Sequence, residues 1–193
     1  MFATPGPLPE GELWRYEVQW AGLRVLAEVA AGTLRLTTTE ERDVTARFPE
    51  FGELAGRLRD AVFDGEIIVV NGGVPSAPPL TTRGQRTRHS QRHKQRHGHR
   101  HRRPTAELMI FDVLRLYGVP LLHRPLDDRR ATLERVRVDT APHVTLSPVY
   151  HDGQALLVAT GQHRLRGVVA KLADSPYRPG VRDPSWVSTT APR

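Results

Sequence analysis

Residues 16–24 read YEVQWAGLR. Tyr16, Val18 and Trp20 alternate with Glu17, Gln19 and Ala21, the period of a half-buried strand. Gly22 interrupts the pattern, and a second apolar run follows from Leu23 to Val29. Two strands meeting at a glycine make a hairpin-like corner, where enzymes often present a reactive side chain. Here that side chain is Gln19, and an amide is a poor nucleophile and a poor acid or base.

Outward from this corner, strands are expected at 14–20, 23–30 and 33–38, together an antiparallel meander. Pro49 then sits just inside a helix start, with Phe51, Leu54, Leu58 and Val62 at helical spacing. A strand over 65–71 ends in Gly72-Gly73, and another over 107–113 carries an apolar run that implies burial on both faces. Pro125 leads into a helix near 127–137 with arginines on its exposed side. A short strand follows at 143–147, and Asp152 can cap a helix over 153–161. A strong strand over 165–172, a proline-bearing loop and a short WVST strand complete the chain. Strands and helices mix without βαβ alternation, which indicates α+β with mainly antiparallel sheets.

Composition narrows the function classes. No apolar run approaches a membrane span and no leader-like start is visible, so no membrane partner is expected. The chain has no cysteine, which excludes disulfides, thiol catalysis and cysteine-type zinc sites and fits a cytoplasmic protein. The net charge of +7 is local: nine Lys or Arg and no acid fall between Arg83 and Arg103, leaving 19 basic against 21 acidic residues elsewhere. The charge describes a segment and not the fold.

Within that segment the sequence runs in tetrads, TRHS, QRHK, QRHG and HRHR, which space Arg88, Arg92, Arg96 and Arg100 by four, and likewise His89, His93, His97 and His101. Three readings stay open. The tract is a solvated insertion with nothing apolar to fold it. It is a nucleic-acid-binding arm, whose arginines neutralise phosphates without needing a fixed shape. Or its histidine pairs chelate a metal, which the neighbouring arginines oppose.

Five stretches then carry a resemblance: LPEGELWRYEVQWAGLR, RDVTARFPEF, FDGEIIVV, LMIFDVLRLYG and RGVVAKLADSPYRPGVRDPSW. In this order and spacing they resemble the adenylation (nucleotidyltransferase) domain of bacterial ATP-dependent DNA ligases, particularly the LigC and LigD types. The resemblance covers nearly everything except about 76–105. It implies a domain over 13–75 and 106–190, an extended segment over 1–12 and an insertion over 76–105. It also implies ATP, Mg2+ and a DNA nick: a lysine attacks the α-phosphate of ATP, and the AMP passes to a 5′-phosphate. Family ligases continue into an OB-fold domain, and nothing in this sequence is expected to form one.

Residue by residue, the resemblance is selective. The family's first motif resembles EVKWDGYR, so Gln19 stands at the nucleophile and Ala21 at an aspartate, while Glu17, Gly22 and Arg24 match. The second resembles SRNGRDVTARFPE, with Thr39 replacing an arginine and Glu40-Glu41 bringing negative charge. Glu66 matches a carboxylate that engages ribose and metal, and Phe111 an aromatic that stacks on adenine. Arg166 replaces the fourth-motif carboxylate, whereas Lys171 matches. Trp186 and Val187 match the fifth motif, WVKVK, while Ser188 and Thr190 replace its two lysines.

The resemblance therefore implies nucleotide contacts at Glu17, Arg24, Glu66, Phe111 and Lys171 but loss of the reacting groups at 19, 21, 166, 188 and 190. The chain has two lysines, Lys94 and Lys171, neither at the nucleophile position. The expectation is a pseudo-ligase that requires no cofactor, no metal ligand being assigned, although the family implies ATP and Mg2+. Its expected partners are DNA or another polyanion and a ligase or repair protein. The alternative is a sequence-independent nucleic-acid-binding accessory protein acting through Arg88, Arg92, Arg96 and Arg100.

Overall fold

The computed structural model describes residues 1–80 and 105–192, which form two sheets. One has four strands, β1 (Phe2–Pro5), β2 (Trp14–Val18), β10 (Gly167–Leu172) and β11 (Arg182–Thr190), in the order β1-β11-β10-β2. The other has seven: β3 (Leu23–Ala30), β4 (Thr33–Thr38), β5 (Asp60–Asn71), β6 (Val74–Ser76), β7 (Ala106–Leu116), β8 (Val119–Pro120) and β9 (Val144–Leu146). Its main path runs β4-β3-β5-β7-β8, with β6 on β5 and β9 on β7. Pairing is antiparallel except for β1 on β11 and β9 on β7.

The expected meander through residue 22 does not form. β2 pairs with β10, whereas β3 pairs with β4 and β5, so the 16–24 stretch crosses from one sheet to the other. Crowding explains the break: a Cβ on Gly22 would lie 2.6 Å from the Ile67 carbonyl oxygen and 2.8 Å from Ile68 Cγ2. Backbone passes there only without a side chain. Ala21, just before it, takes a left-handed φ of 57°.

Two other expectations change. The 49–62 helix is a 3-10 segment, Pro49–Gly56, after which Leu58 enters the core and Val62 belongs to β5. The twelve-residue β5 pairs on both sides, with β3 and β7, and that ladder overrides the helical spacing. The 1–12 segment is not wholly outside the folded body, because β1 extends the smaller sheet and Met1 is buried. At the other boundary the body continues past Ser76, with Leu80 packed on the core.

The main core lies against the larger sheet, where Val25, Phe63, Ile67, Leu108 and Ile110 meet Phe48, Phe51 and Leu54. Helix α1 (Leu126–Val136) adds Leu133, and its Arg129, expected among exposed arginines, is fully buried. The reason is Asp112 on β7. Arg129 Nε and Nη2 donate to its two oxygens at 2.8 and 2.9 Å, and Nη1 donates to the Arg124 and Ser175 carbonyls. Helix α2 (Gly153–Gln162) begins as expected, with Asp152 accepting from the Ala155 amide. Among the described residues no helix is long and apolar enough to cross a membrane. The tract with Arg88, Arg92, Arg96 and Arg100 lies outside the described residues.

Candidate active site: a cleft between the sheets

Both sheets contribute to a cleft of about 280 Å³. Glu17 and Gln19 reach it from the end of β2, Arg24 from β3, Glu66 from β5 and Phe111 from β7; Arg166 immediately precedes β10, Lys171 lies within it, and Ser188 belongs to β11. Eight of the residues singled out in the sequence thus meet, although they span 172 positions of the chain, from 17 to 188. Ala21 and Thr190 do not line the cleft. Thr39 and Glu41 border a larger, mainly apolar cavity of about 760 Å³ on the other side of Arg24 and Phe2.

The floor is an ion pair. Lys171 Nζ donates to Glu17 Oε1 at 2.5 Å, and both residues are almost fully buried. The same nitrogen lies 4.4 Å from the centroids of Phe111 and Trp186, a spacing at which aromatic quadrupoles stabilise a cation. Trp186 meets Phe111 edge-on at 6.3 Å and buries its own Nε1 with no partner among the described residues. Phe111 also has the Arg24 guanidinium 5.4 Å from its centroid, so its ring serves cations as well as facing the cleft.

Gln19 lines the cleft half-buried, its backbone N–H donating to the Gly167 carbonyl at 2.8 Å. Glu66 lines the same cleft, accepting the Gly22 N–H at 2.7 Å. Burial raises the Glu66 carboxyl above the ordinary glutamate value, and the Gly22 amide and Arg24 moderate the rise. The carboxylate therefore helps to hold the strand crossover as well as lining the cleft.

Four further residues shape the site without having been singled out. Asp64 takes Arg24 Nε and Nη2 at 3.0 and 2.6 Å and the Tyr177 hydroxyl at 2.6 Å. Burial opposes the Arg24 charge, but the Asp64 pair more than offsets it and holds the guanidinium above its usual value. Burial, followed by the Asp64 charge, raises the Tyr177 hydroxyl as well. Phe2 packs over Arg24 at 5.2 Å, and Arg182 lines the rim while donating to the Ala3 carbonyl at 2.6 Å. Asp64 had a readable signal: two positions before Glu66 it shares that residue's face of β5. Phe2 and Arg182 had none, because only the β1–β11 pairing brings them there.

A divalent metal would rest here on a single carboxylate, Glu66, which keeps one oxygen free, together with ligand phosphate and water. Among the described residues no group of three or more histidines, cysteines or acids could hold one. Glu17 is engaged by Lys171, Asp64 by Arg24 and Tyr177, and one Glu66 oxygen by Gly22. The remaining charge near Glu66 is the cation of Arg166, which repels Mg2+.

This antiparallel two-sheet architecture with a cleft between the sheets is a nucleotidyltransferase fold. Residues 9–188 match the ATP dependent DNA ligase domain, and the chain belongs to that family. It is 36% identical over 193 residues to the multifunctional non-homologous end joining DNA repair protein LigD of Mycobacterium tuberculosis, and 32% identical over 192 residues to LigD of Mycolicibacterium smegmatis. Each alignment covers 97% of this chain but 23% of the relative, so the chain spans about a quarter of those proteins. The crystal structure of the ligase domain of M. tuberculosis LigD superposes with a TM-score of 0.78 at 33% identity, covering 97% of this chain and 58% of that one. A mycobacterial DNA ligase D complexed with ATP and MES gives 0.75 at 32% identity, with the same coverage.

Proposed function

We propose that this chain is a ligase-type adenylation domain that does not form lysyl-AMP and acts by binding. One observation carries the reading: Gln19, at the nucleophile position of the motif, lines the cleft, while Lys171 is held by Glu17 beside Phe111 and Trp186. Attack on phosphorus needs an available nitrogen lone pair, and an amide delocalises its own. Ala21, Arg166, Ser188 and Thr190 add to the same loss, since none can repeat the role of the aspartate, carboxylate or lysines of the motifs. Glu17, Arg24, Glu66, Phe111 and Lys171 remain to shape a nucleotide pocket. Intact mass of the pure protein after incubation with ATP and Mg2+ or Mn2+ is expected to be unchanged; a covalent AMP adduct refutes the proposal.

The charge distribution supports a second reading, a cytoplasmic accessory protein that binds DNA or another polyanion beside a ligase or repair partner. Nine basic residues and no acid lie between Arg83 and Arg103. Binding through Arg88, Arg92, Arg96 and Arg100 is expected to be sequence-independent and to weaken steeply with salt. Unchanged binding after deletion of 83–103 would rule the arm out.

A further inference from the structure

Strand β3 alternates about the larger sheet. Val25, Ala27 and Val29 enter the main core, so Arg24, Leu26 and Glu28 face the other way. Arg24 and Glu28 are what an outward face calls for; Leu26 is not, and it is 41% exposed. Register sets it between Thr37 of β4 and Asp64 of β5, while Val62, opposite Glu28, adds a second apolar side chain to that face. These residues line the cavity of about 760 Å³, which Pro120 and Leu122 border after β8, and Tyr177, Pro179 and Gly180 between β10 and β11. Its volume lies within the roughly 300–1,000 Å³ of sites that take small organic ligands. Val119 and Val181, chain neighbours of Pro120 and Gly180, are themselves exposed, and apolar surface left open in this way marks a binding site.

The charges around this cavity select an uncharged occupant. Asp64 takes Arg24 at 3.0 and 2.6 Å, and Arg115 donates to Asp60 and Glu28 at 2.9 Å each. With Glu41, the lining side chains and their ion-pair partners bring two guanidiniums against four carboxylates, Asp64, Asp60, Glu28 and Glu41. That balance repels an anion, and a cation would compete with arginines already seated on three of the four carboxylates. Donors are nevertheless left over. Arg24 and Arg115 each keep Nη1 without an acceptor among the described residues, and the Thr37 hydroxyl makes no hydrogen bond among them. An uncharged oxygen acceptor suits these groups. From this we propose that the cavity is a binding site for a neutral, largely apolar small molecule carrying a carbonyl acceptor. Leu26 and Val62 supply its apolar floor. The proposal stands apart from the reading of the nucleotide cleft, because its test involves no nucleotide.

Fluorescence titration of the full chain with Nile red, an uncharged apolar dye with a ring carbonyl, tests it, and the sulfonate dye ANS supplies the anionic comparison. Nile red is expected to bind saturably at one site per chain, and ANS at least about tenfold more weakly. L26E sets a charge on the apolar floor, and T37W fills the space from β4. Each is expected to weaken Nile red binding by at least about tenfold. Val158 on α2 is 56% exposed and does not line the cavity, so V158E should leave the affinity unchanged within about twofold. Leu26 and Thr37 both lie on the face turned away from the main core, and urea unfolding followed by circular dichroism checks that the variants fold.

Absence of saturable Nile red binding overturns the proposal, as does binding that survives in a folded L26E or T37W or that V158E weakens equally. ANS binding as tight as that of Nile red, and lost with L26E, overturns the neutral assignment and the proposal with it. A dimer in sedimentation velocity that L26E dissociates would make this face a subunit contact, which also overturns it. Since L26E and T37W alter the cavity by different means, one misfolded variant leaves the test intact.

Discussion

Replacing Arg129 with methionine tests the strongest electrostatic claim about the fold. The variant keeps an unbranched chain of similar reach and removes the cation. Arg129 and Asp112 are 0% and 1% exposed, so solvent cannot take over. Asp112 would retain only the Val113 N–H at 2.9 Å, and the Arg124 and Ser175 carbonyls would lose their donor. Leaving one member of a buried pair uncompensated costs about 3–5 kcal/mol, a large fraction of the stability of a domain this size. With a urea slope of about 2–3 kcal/mol/M, the unfolding midpoint should fall by roughly 1–2.5 M. Urea titration followed by the fluorescence of Trp14, Trp20 and Trp186 measures it. R129M with D112L removes both charges and should recover most of the loss, since an apolar replacement of a whole pair is often neutral. A loss below about 1 kcal/mol for R129M, or a double variant no more stable than the single one, would refute the reasoning.

Two further variants probe the strand crossover. Ala21 holds φ at 57°, a conformation that costs a residue with a Cβ about 1–2 kcal/mol. Glycine removes that cost and forfeits roughly 0.5–1 kcal/mol through its freer unfolded chain, so A21G should gain about 0.5–1 kcal/mol in thermal or urea unfolding. Burial raises the folded Glu66 carboxyl above its unfolded value, so its stabilising contribution is complete below the unfolded pKa and declines as pH rises through the folded one. E66Q, whose amide oxygen can still accept the Gly22 N–H, should therefore be favoured relative to wild type at neutral pH, with the advantage shrinking toward about pH 4. An advantage that grew on acidification would contradict burial as the cause.

Much of the element order was legible because it is local. The Asp152 cap, the helix after Pro125 and the long apolar strands all follow from side chains acting on their own or adjacent backbone. The errors arose where distant chain decides. Phe51, Leu54, Leu58 and Val62 keep helical spacing, yet pairing of β5 with β3 and β7 claims Val62 for a strand. Arg129 looks like any surface arginine until Asp112, 17 positions earlier, is found inside the same core. The site was legible as a set of motif positions, and Asp64 from its spacing to Glu66, but Phe2, Tyr177 and Arg182 joined it only through sheet pairing and packing.

The residue types alone determined what reaction groups are present: a glutamine and not a lysine at 19, an arginine at 166, and no cysteine anywhere. Chemical identity is a property of the covalent chain and needs no fold to be read. Tertiary structure decided what those groups can reach. It turned the supposed hairpin at Gly22 into a crossing between two sheets, because Ile67 and Ile68 leave no room for a side chain there. It also tied Lys171 to Glu17 across 154 positions of sequence, since only the pairing of β2 with β10 brings an ammonium and a carboxylate to 2.5 Å in a buried site.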